Sequence, residues 1–150
     1  MATSTMEKQS TSAGIQTESL VHGVVAGLVG GSVFGVQMAV GGMLPMVAQM
    51  IGSESVVVGF ILHLIISAVI GATYGLIAPR LPGGWLITIG AGIVFGVIWW
   101  ILGALIIMPL VLGMSAMVLV IEDMQLMSLV GHVIFGIITA TVYTLIAQRS

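Results

Sequence analysis

The sequence contains no cysteine and very little charge. Eight Lys, Arg, Asp and Glu residues make up 5% of the 150 residues, whereas roughly a quarter is typical of soluble domains. Because 59% of the chain is hydrophobic, so few charges cannot cover its core in water, and a water-soluble fold is excluded. The missing cysteines exclude disulfides, a thiolate nucleophile and Cys-ligated zinc or iron–sulfur sites. The net charge of −2 is too small to suggest a nucleic-acid partner.

What the sequence has instead is four long apolar segments, separated by prolines, glycines and charged residues. Each is at or above the roughly 20 residues that span a bilayer. We therefore predict an all-α integral membrane protein, a bundle of four transmembrane helices occupying residues 18–150. The predicted helices cover about 19–43, 54–78, 84–108 and 126–147.

Two parts of the chain lie outside these helices. Residues 1–17 are rich in Ser, Thr and Gln and lack a signal-peptide pattern, so we expect a disordered cytoplasmic tail. The apolar stretch between Pro109 and Glu122 is too short to span again. It is compatible with a surface helix, a re-entrant piece or a helix extension.

The few charges indicate the orientation in the membrane. Lys8, Arg80 and Arg149 fall on one predicted side, and the acidic residues from Glu54 to Asp123 fall on the other. The positive-inside rule then places both termini in the cytoplasm, and the membrane is expected to be a bacterial or archaeal cytoplasmic membrane.

The helices also repeat. Gly31–Val36 in the first helix resembles Gly92–Val97 in the third. A shift of 69 residues aligns the second helix with the fourth and pairs identical side chains: His63 with His132, Tyr74 with Tyr143, and Arg80 with Arg149. We predict a duplicated helical hairpin, with repeats at about 19–80 and 85–149, related by a pseudo-two-fold axis along the membrane normal.

Small residues recur about every four positions along the helices. Such faces let helix backbones touch, which is the usual way that transmembrane helices associate. The predicted helix-packing residues are Gly23, Gly27, Gly31, Gly35, Ser67, Gly71, Gly92, Gly96, Gly136 and Ala140.

Two histidines lie on these small-residue faces. His63 and His132 are placed roughly 10 Å inside the outer boundary, at about 1.5 Å rise per residue. A polar residue at that depth is a candidate functional residue. The pattern is compatible with an interhelical hydrogen bond, a proton or ion site, or axial ligands of a haem b.

Methionine is unusually frequent, with 11 residues, most of them toward the predicted outer face. Thioethers suit Cu(I), and the two histidines lie at a similar depth. Ordinary packing by a flexible side chain explains the same pattern more simply. If a metal is bound, the candidate thioether ligands are Met43, Met46, Met50, Met114 and Met117.

A longer series of motifs runs from the second helix to the fourth. It comprises H-x-x-x-S with a downstream Tyr and Ala, a Gly-rich helix, Pro-Leu-x-x-Gly-Met, an acidic loop and Gly-His. These motifs are carried by His63, Ser67, Tyr74, Ala78, Gly90, Gly92, Gly96, Pro109–Met114, Gly131 and His132. Together these motifs cover a little over half of the chain. In their order, the sequence resembles the YagU-like bacterial inner-membrane proteins. That family is largely without an assigned function.

No close set of titratable groups suggests catalysis, so we expect no enzyme. The predicted function is a non-enzymatic polytopic membrane protein, a small packing or accessory subunit or scaffold. It would associate through its glycine faces, as a homo-oligomer or in a larger membrane complex. The alternatives are a membrane protein that binds haem b or Cu(I) through His63 and His132, and a small dimeric channel or transporter.

Overall fold

The computed structural model describes residues 2–149, with side chains from Gln16 onward. Within these residues every regular element is helical. The helices are α1 (Ala2–Val40), α2 (Leu44–Gln49), α3 (Val56–Ile77), α4 (Trp85–Trp99), α5 (Met108–Val111) and α6 (Asp123–Ala147). A π-helical segment, Trp100–Ile107, joins α4 to α5, and short 3₁₀ turns lie at Ala78–Arg80 and Ser115–Met117.

Four helical stretches are long and apolar enough to cross a membrane: Gln16–Val40, Val56–Arg80, Trp85–Val111 and Asp123–Ala147. The third consists of α4, the π-helical segment and α5, and is called the third span below. Large apolar side chains such as Val40 and Leu86, both 88% exposed, cover the outside. The predicted all-α membrane protein with four transmembrane helices is therefore confirmed.

The structure describes the stretch after Pro109 in full but the predicted N-terminal tail only in part. Residues 1–17 overlap the start of α1, but the side chains before Gln16 are not described, so disorder there stays a prediction. After α5 the chain turns at Gly113, where φ is +71°, and returns through an irregular segment to α6. Helix α6 begins with a capping box between Glu122 and Gln125.

The packing of the helices is uneven. Helix α1 packs against α3 on one side and α6 on the other, and α6 packs against α4. The order across the bundle is therefore α3, α1, α6, α4. Among the described residues, α3 and α4 make no comparable contact, which leaves a gap between α3 and the third span.

Glycines bring α1 and α3 into backbone contact. A Cβ added at Gly71 would collide with the carbonyl oxygen of Gly23 and the Cα of Gly27. Gly75 meets the carbonyl of Ser19 in the same way. Because no side chain separates the two helices at these positions, van der Waals contact along the whole interface can hold them together without a hydrophobic driving force.

Helices α4 and α6 meet through a similar set of small residues. Gly92 lies on the carbonyl of Gly136, and Gly96 lies on the carbonyl of His132. All ten residues named from the sequence as helix-packing residues are buried. These faces are therefore occupied within the chain and are not free to receive another subunit.

Candidate functional site

The gap between α3 and the third span contains a cavity of about 230 Å³. It lies in the half of the bundle nearer to Glu54, and all four spans and α2 contribute to its lining. The lining is mostly apolar and includes the rings of Phe34, Trp99 and Phe135. Its polar side chains are two histidines and two serines: His63, His132, Ser67 and Ser128.

His63 is held against α1 by the glycines of that helix. Its Nε2 lies 3.0 Å from the carbonyl oxygen of Gly31. A Cβ at Gly35 would approach the Cδ2 of the imidazole to 3.2 Å, so the absence of a side chain there leaves room for the ring. Since a carbonyl oxygen only accepts, Nε2 must carry the proton and donate it.

His132 is oriented from within its own helix. Its Nδ1 lies 2.8 Å from the carbonyl oxygen of Ser128 and 3.3 Å from the hydroxyl of the same residue. The carbonyl fixes Nδ1 as the protonated nitrogen, by the same argument as for His63. The two histidines therefore use opposite ring nitrogens to hold their positions.

Phe34 connects the two histidines. Its ring makes edge contacts with both imidazoles, with centroids 5.3 Å from His63 and 4.9 Å from His132. The same ring fills the space beside Gly131, where an added Cβ would collide with it. The sequence placed the two histidines at the same depth, and the structure brings them to one cavity around one phenylalanine.

Each imidazole has one ring nitrogen left over. His63 Nδ1 and His132 Nε2 have no hydrogen-bond partner among the described residues. Within the same residues, Thr139 Oγ1 alone is a fully enclosed polar side-chain atom without a partner. The two free nitrogens must therefore reach open space, and the cavity that both histidines line provides it. In the neutral ring each offers a lone pair.

Three methionines also line the cavity: Met38, Met50 and Met108. Of the five methionines named from the sequence as candidate metal ligands, Met50 is the one that lines it. Met43 lies in the hydrophobic core, and Met46 is half-buried on α2. Met114 and Met117 lie in the segment after α5. In the part of the chain that is described, no three His, Cys, Asp or Glu side chains form a metal-binding group.

Sequence reasoning did not name Met38 and Met108 as candidate ligands. Met38 follows Phe34 by four residues, and Met108 follows Ala104 by four, so both continue the cavity face at the spacing of an α-helix. The spacing could therefore have found both methionines once the cavity face was known.

The π-helical segment forms the wall of the cavity opposite α3. Gly103, Ala104 and Ile107 line the cavity there, and nothing lies within 4 Å of a Cβ added at Gly103. The segment is anchored by Trp100, whose Nε1 donates to the carbonyl of Gln125 at 2.9 Å. Short π-helical insertions are frequent at functional sites.

A second cavity, of about 470 Å³, lies at the opposite end of the bundle, near Arg80. Its lining is more polar and includes Glu18, Ser19 and Tyr143. The Ser19 hydroxyl donates to the carbonyl of Gly75 at 2.6 Å, so the phenol of Tyr143, also 2.6 Å away, donates to Ser19. These bonds tie α1, α3 and α6 together at this end.

No protein-family model matches the chain, and neither a curated protein nor a solved structure matches it. The resemblance to YagU-like proteins stays a prediction.

Proposed function

We propose that this chain is a non-enzymatic membrane protein that binds a small guest in the cavity between α3 and the third span. The observation that carries this proposal is the pair of unpartnered nitrogens, His63 Nδ1 and His132 Nε2, in one apolar cavity. Both lone pairs are open to a guest, and a hydrogen bond typically contributes about 0.5–1.5 kcal/mol. A guest that engages both lone pairs would gain two such contacts, which gives the cavity its affinity.

The geometry supports this function better than a packing subunit that associates through glycine faces. All the glycines named for that role are buried against other helices of the same chain. A homo-oligomer or larger complex would therefore have to form through the remaining lipid-facing surface, on which exposed Val, Leu and Ile side chains are spread over all four spans.

Haem b and a channel are supported less well. The cavity, at about 230 Å³, is smaller than the roughly 300–1,000 Å³ typical of pockets for drug-sized ligands, so a haem would have to force the bundle open. The ring of Phe34 contacts both imidazoles, so the large macrocycle of a haem would compete with it for space, which a single ion would not. The two cavities share no lining residue, which is the geometry of separate sites and not of one continuous pore.

The proposal also includes the duplication of a helical hairpin. Gly31 lies against Ser67 as Gly92 lies against Gly136, and these pairs are equivalent in the two repeats. In the same way, Gly35 approaches the ring of His63, and Gly96 meets the backbone of His132. Because these contacts are equivalent, they support a duplication in which each repeat contributes one histidine to a single site.

The proposed setting is a bacterial or archaeal cytoplasmic membrane with both termini in the cytoplasm. Pro79 and Gln148, the neighbours of Arg80 and Arg149, line one cavity and so lie at one end of the bundle. The positive-inside rule supports the cytoplasmic side for that end. The cavity with the two histidines would then lie in the outer half of the membrane.

The test uses 4-bromophenol, a small apolar molecule with one O–H donor, added to the ¹⁵N-histidine-labelled protein in lipid nanodiscs. Binding is expected to shift the ¹⁵N resonance of His63 Nδ1 or His132 Nε2, or of both if the phenol exchanges between them, because its single O–H donates to one nitrogen at a time. The methyl ether 4-bromoanisole, which has no donor, should shift them much less.

A matched pair of variants locates the binding. Gly103→Leu should abolish the shifts, since Gly103 lines the cavity, while Gly90→Leu should leave them unchanged. Nothing lies within 4 Å of a Cβ at either glycine, and Gly90 does not line the cavity. Histidine resonances of the folded wild-type protein that respond neither to the phenol nor to the ion considered below would contradict the proposed function.

A further inference from the structure

The donor atoms around the cavity identify the guest more closely. Two imidazole nitrogens, from α3 and α6, and three thioethers, of Met38, Met50 and Met108, line the same space of about 230 Å³. We infer that the guest is a single Cu(I) ion, held by His63, His132 and one or more of these thioethers. This inference rests on the proposed function and names its ligand.

The ligand set is soft and uncharged. No carboxylate lines the cavity, and the chain contains no cysteine, so Mg²⁺ and Ca²⁺, which need several oxygen ligands, are poorly served. Thioethers select Cu(I) among the common biological metals, and imidazole is a good ligand for copper. The three methionines therefore discriminate in favour of copper, which the two histidines alone would not do.

The charge of the ion also favours Cu(I). Moving an ion from water to a medium of low dielectric constant costs a free energy that rises with the square of its charge. Since every ligand around the cavity is neutral, a divalent ion would remain uncompensated in the membrane. A monovalent ion reduces this cost, and coordination by nitrogen and sulfur can offset the remainder.

The hydrogen bonds of the two histidines are those expected of metal ligands. A ligating histidine almost always donates its other ring N–H to a carbonyl or carboxylate, which fixes the tautomer and aims the lone pair. Gly31 provides that carbonyl for His63, and Ser128 provides it for His132. Both rings are therefore oriented before any metal arrives, and the flexible methionines can close around the ion.

The experiment titrates the full chain in nanodiscs with Cu(I), under anaerobic conditions with ascorbate, against the Cu(I) chelator bathocuproine disulfonate. Bound copper is measured by native mass spectrometry and elemental analysis, and X-ray absorption identifies its ligands. The expected result is one ion per chain with both nitrogen and sulfur neighbours. Met38→Leu, Met50→Leu and Met108→Leu keep the side-chain volume, and at least one of the three should weaken binding at least about tenfold.

Matched controls separate the cavity from other methionines. Met46→Leu and Met114→Leu change residues that do not line the cavity, and both should retain wild-type affinity. Copper that is lost in these two variants but kept in Met38→Leu, Met50→Leu and Met108→Leu would place the ion outside the cavity and overturn the inference. The leucine variants also guard against misfolding, which could complicate His63→Gln or His132→Gln.

The remaining outcomes distinguish the inference from the proposed function. If no stoichiometric Cu(I) binds but 4-bromophenol still shifts the histidine resonances, the copper inference is wrong and the guest-binding function stands. If neither the metal nor the phenol binds to the folded protein, both are wrong.

Discussion

The backbone N–H of Leu119 donates to the carbonyl oxygen of Leu105, at a distance of 3.0 Å. Pro109 lies four residues after Leu105 and has no N–H, so it cannot donate to this carbonyl. The segment that follows α5 folds back and donates to it. A backbone acceptor in the third span is thereby satisfied within the protein, as a membrane requires.

This bond is made by a residue in an unfavourable conformation. Leu119 has φ +60°, in the left-handed region, and its side chain is 58% exposed. Leu119→Gly should therefore raise the free energy of unfolding by about 1 kcal/mol, since glycine adopts this conformation without the steric penalty. Leu110→Gly, within α5, should lower it by about 1 kcal/mol. Reversible unfolding in SDS measures both, and a destabilised Leu119→Gly would count against strain at this position.

The contact between α1 and α3 gives a second prediction. Gly71→Ala places a Cβ against the carbonyl of Gly23 and the Cα of Gly27, both of them backbone atoms that cannot rotate away. Such overpacking should cost about 1–3 kcal/mol of the free energy of unfolding. Gly90→Ala, with nothing within 4 Å of its Cβ, should be neutral or stabilising by up to about 1 kcal/mol. Equal effects of the two alanines would contradict a close approach of the helices.

A buried hydroxyl gives the third prediction. Thr139 is fully buried between α1 and α6, and its Oγ1 has no partner among the described residues. Thr139→Val keeps the shape and removes the unpaired polar atom, so it should raise stability by about 1 kcal/mol. Thr88→Val is the control, because the Thr88 hydroxyl lies 3.3 Å from that of Thr144 and would lose this bond. A loss of stability in Thr139→Val would show that its hydroxyl is satisfied after all.

The architecture could be predicted from the sequence because hydrophobic length dominates in membrane proteins. Every backbone polar group in the hydrocarbon region needs an internal partner, so a long apolar run has few folds open to it. The spacing of glycines carries further information, since the close contacts of Gly23 and Gly27 with α3 follow from the absence of a side chain at each turn. Both are local properties of single helices.

The cavity could not be predicted, because it depends on how the helices are arranged relative to one another. A pseudo-two-fold axis would make α3 pack on α4 as α1 packs on α6, and the structure has close contact in the second pair only. The wall of the cavity opposite α3 is the π-helical segment Trp100–Ile107, and the sequence analysis did not predict that helix type. Neither feature can be inferred from a periodic pattern of apolar residues.

The fourth prediction concerns the hydrogen bonds at the Arg80 end of the bundle. Tyr143 donates to Ser19, and Ser19 donates to the carbonyl of Gly75, both at 2.6 Å. Because the middle hydroxyl serves both bonds, Ser19→Ala and Tyr143→Phe should not be additive. A double-mutant cycle on the free energy of unfolding should give a coupling energy of about 0.5–1.5 kcal/mol.

A second cycle, with Thr88→Val and Thr144→Val, provides the comparison. Their hydroxyls are 3.3 Å apart, a long distance for two oxygens, so their coupling should be clearly smaller. If the Ser19–Tyr143 cycle gave no more coupling than the threonine pair, water in the adjacent cavity would be satisfying the Tyr143 phenol equally well. The stability of this end would then come from the packing of Gly75 on Ser19 and of Tyr143 on Tyr74, and not from the chain of hydrogen bonds.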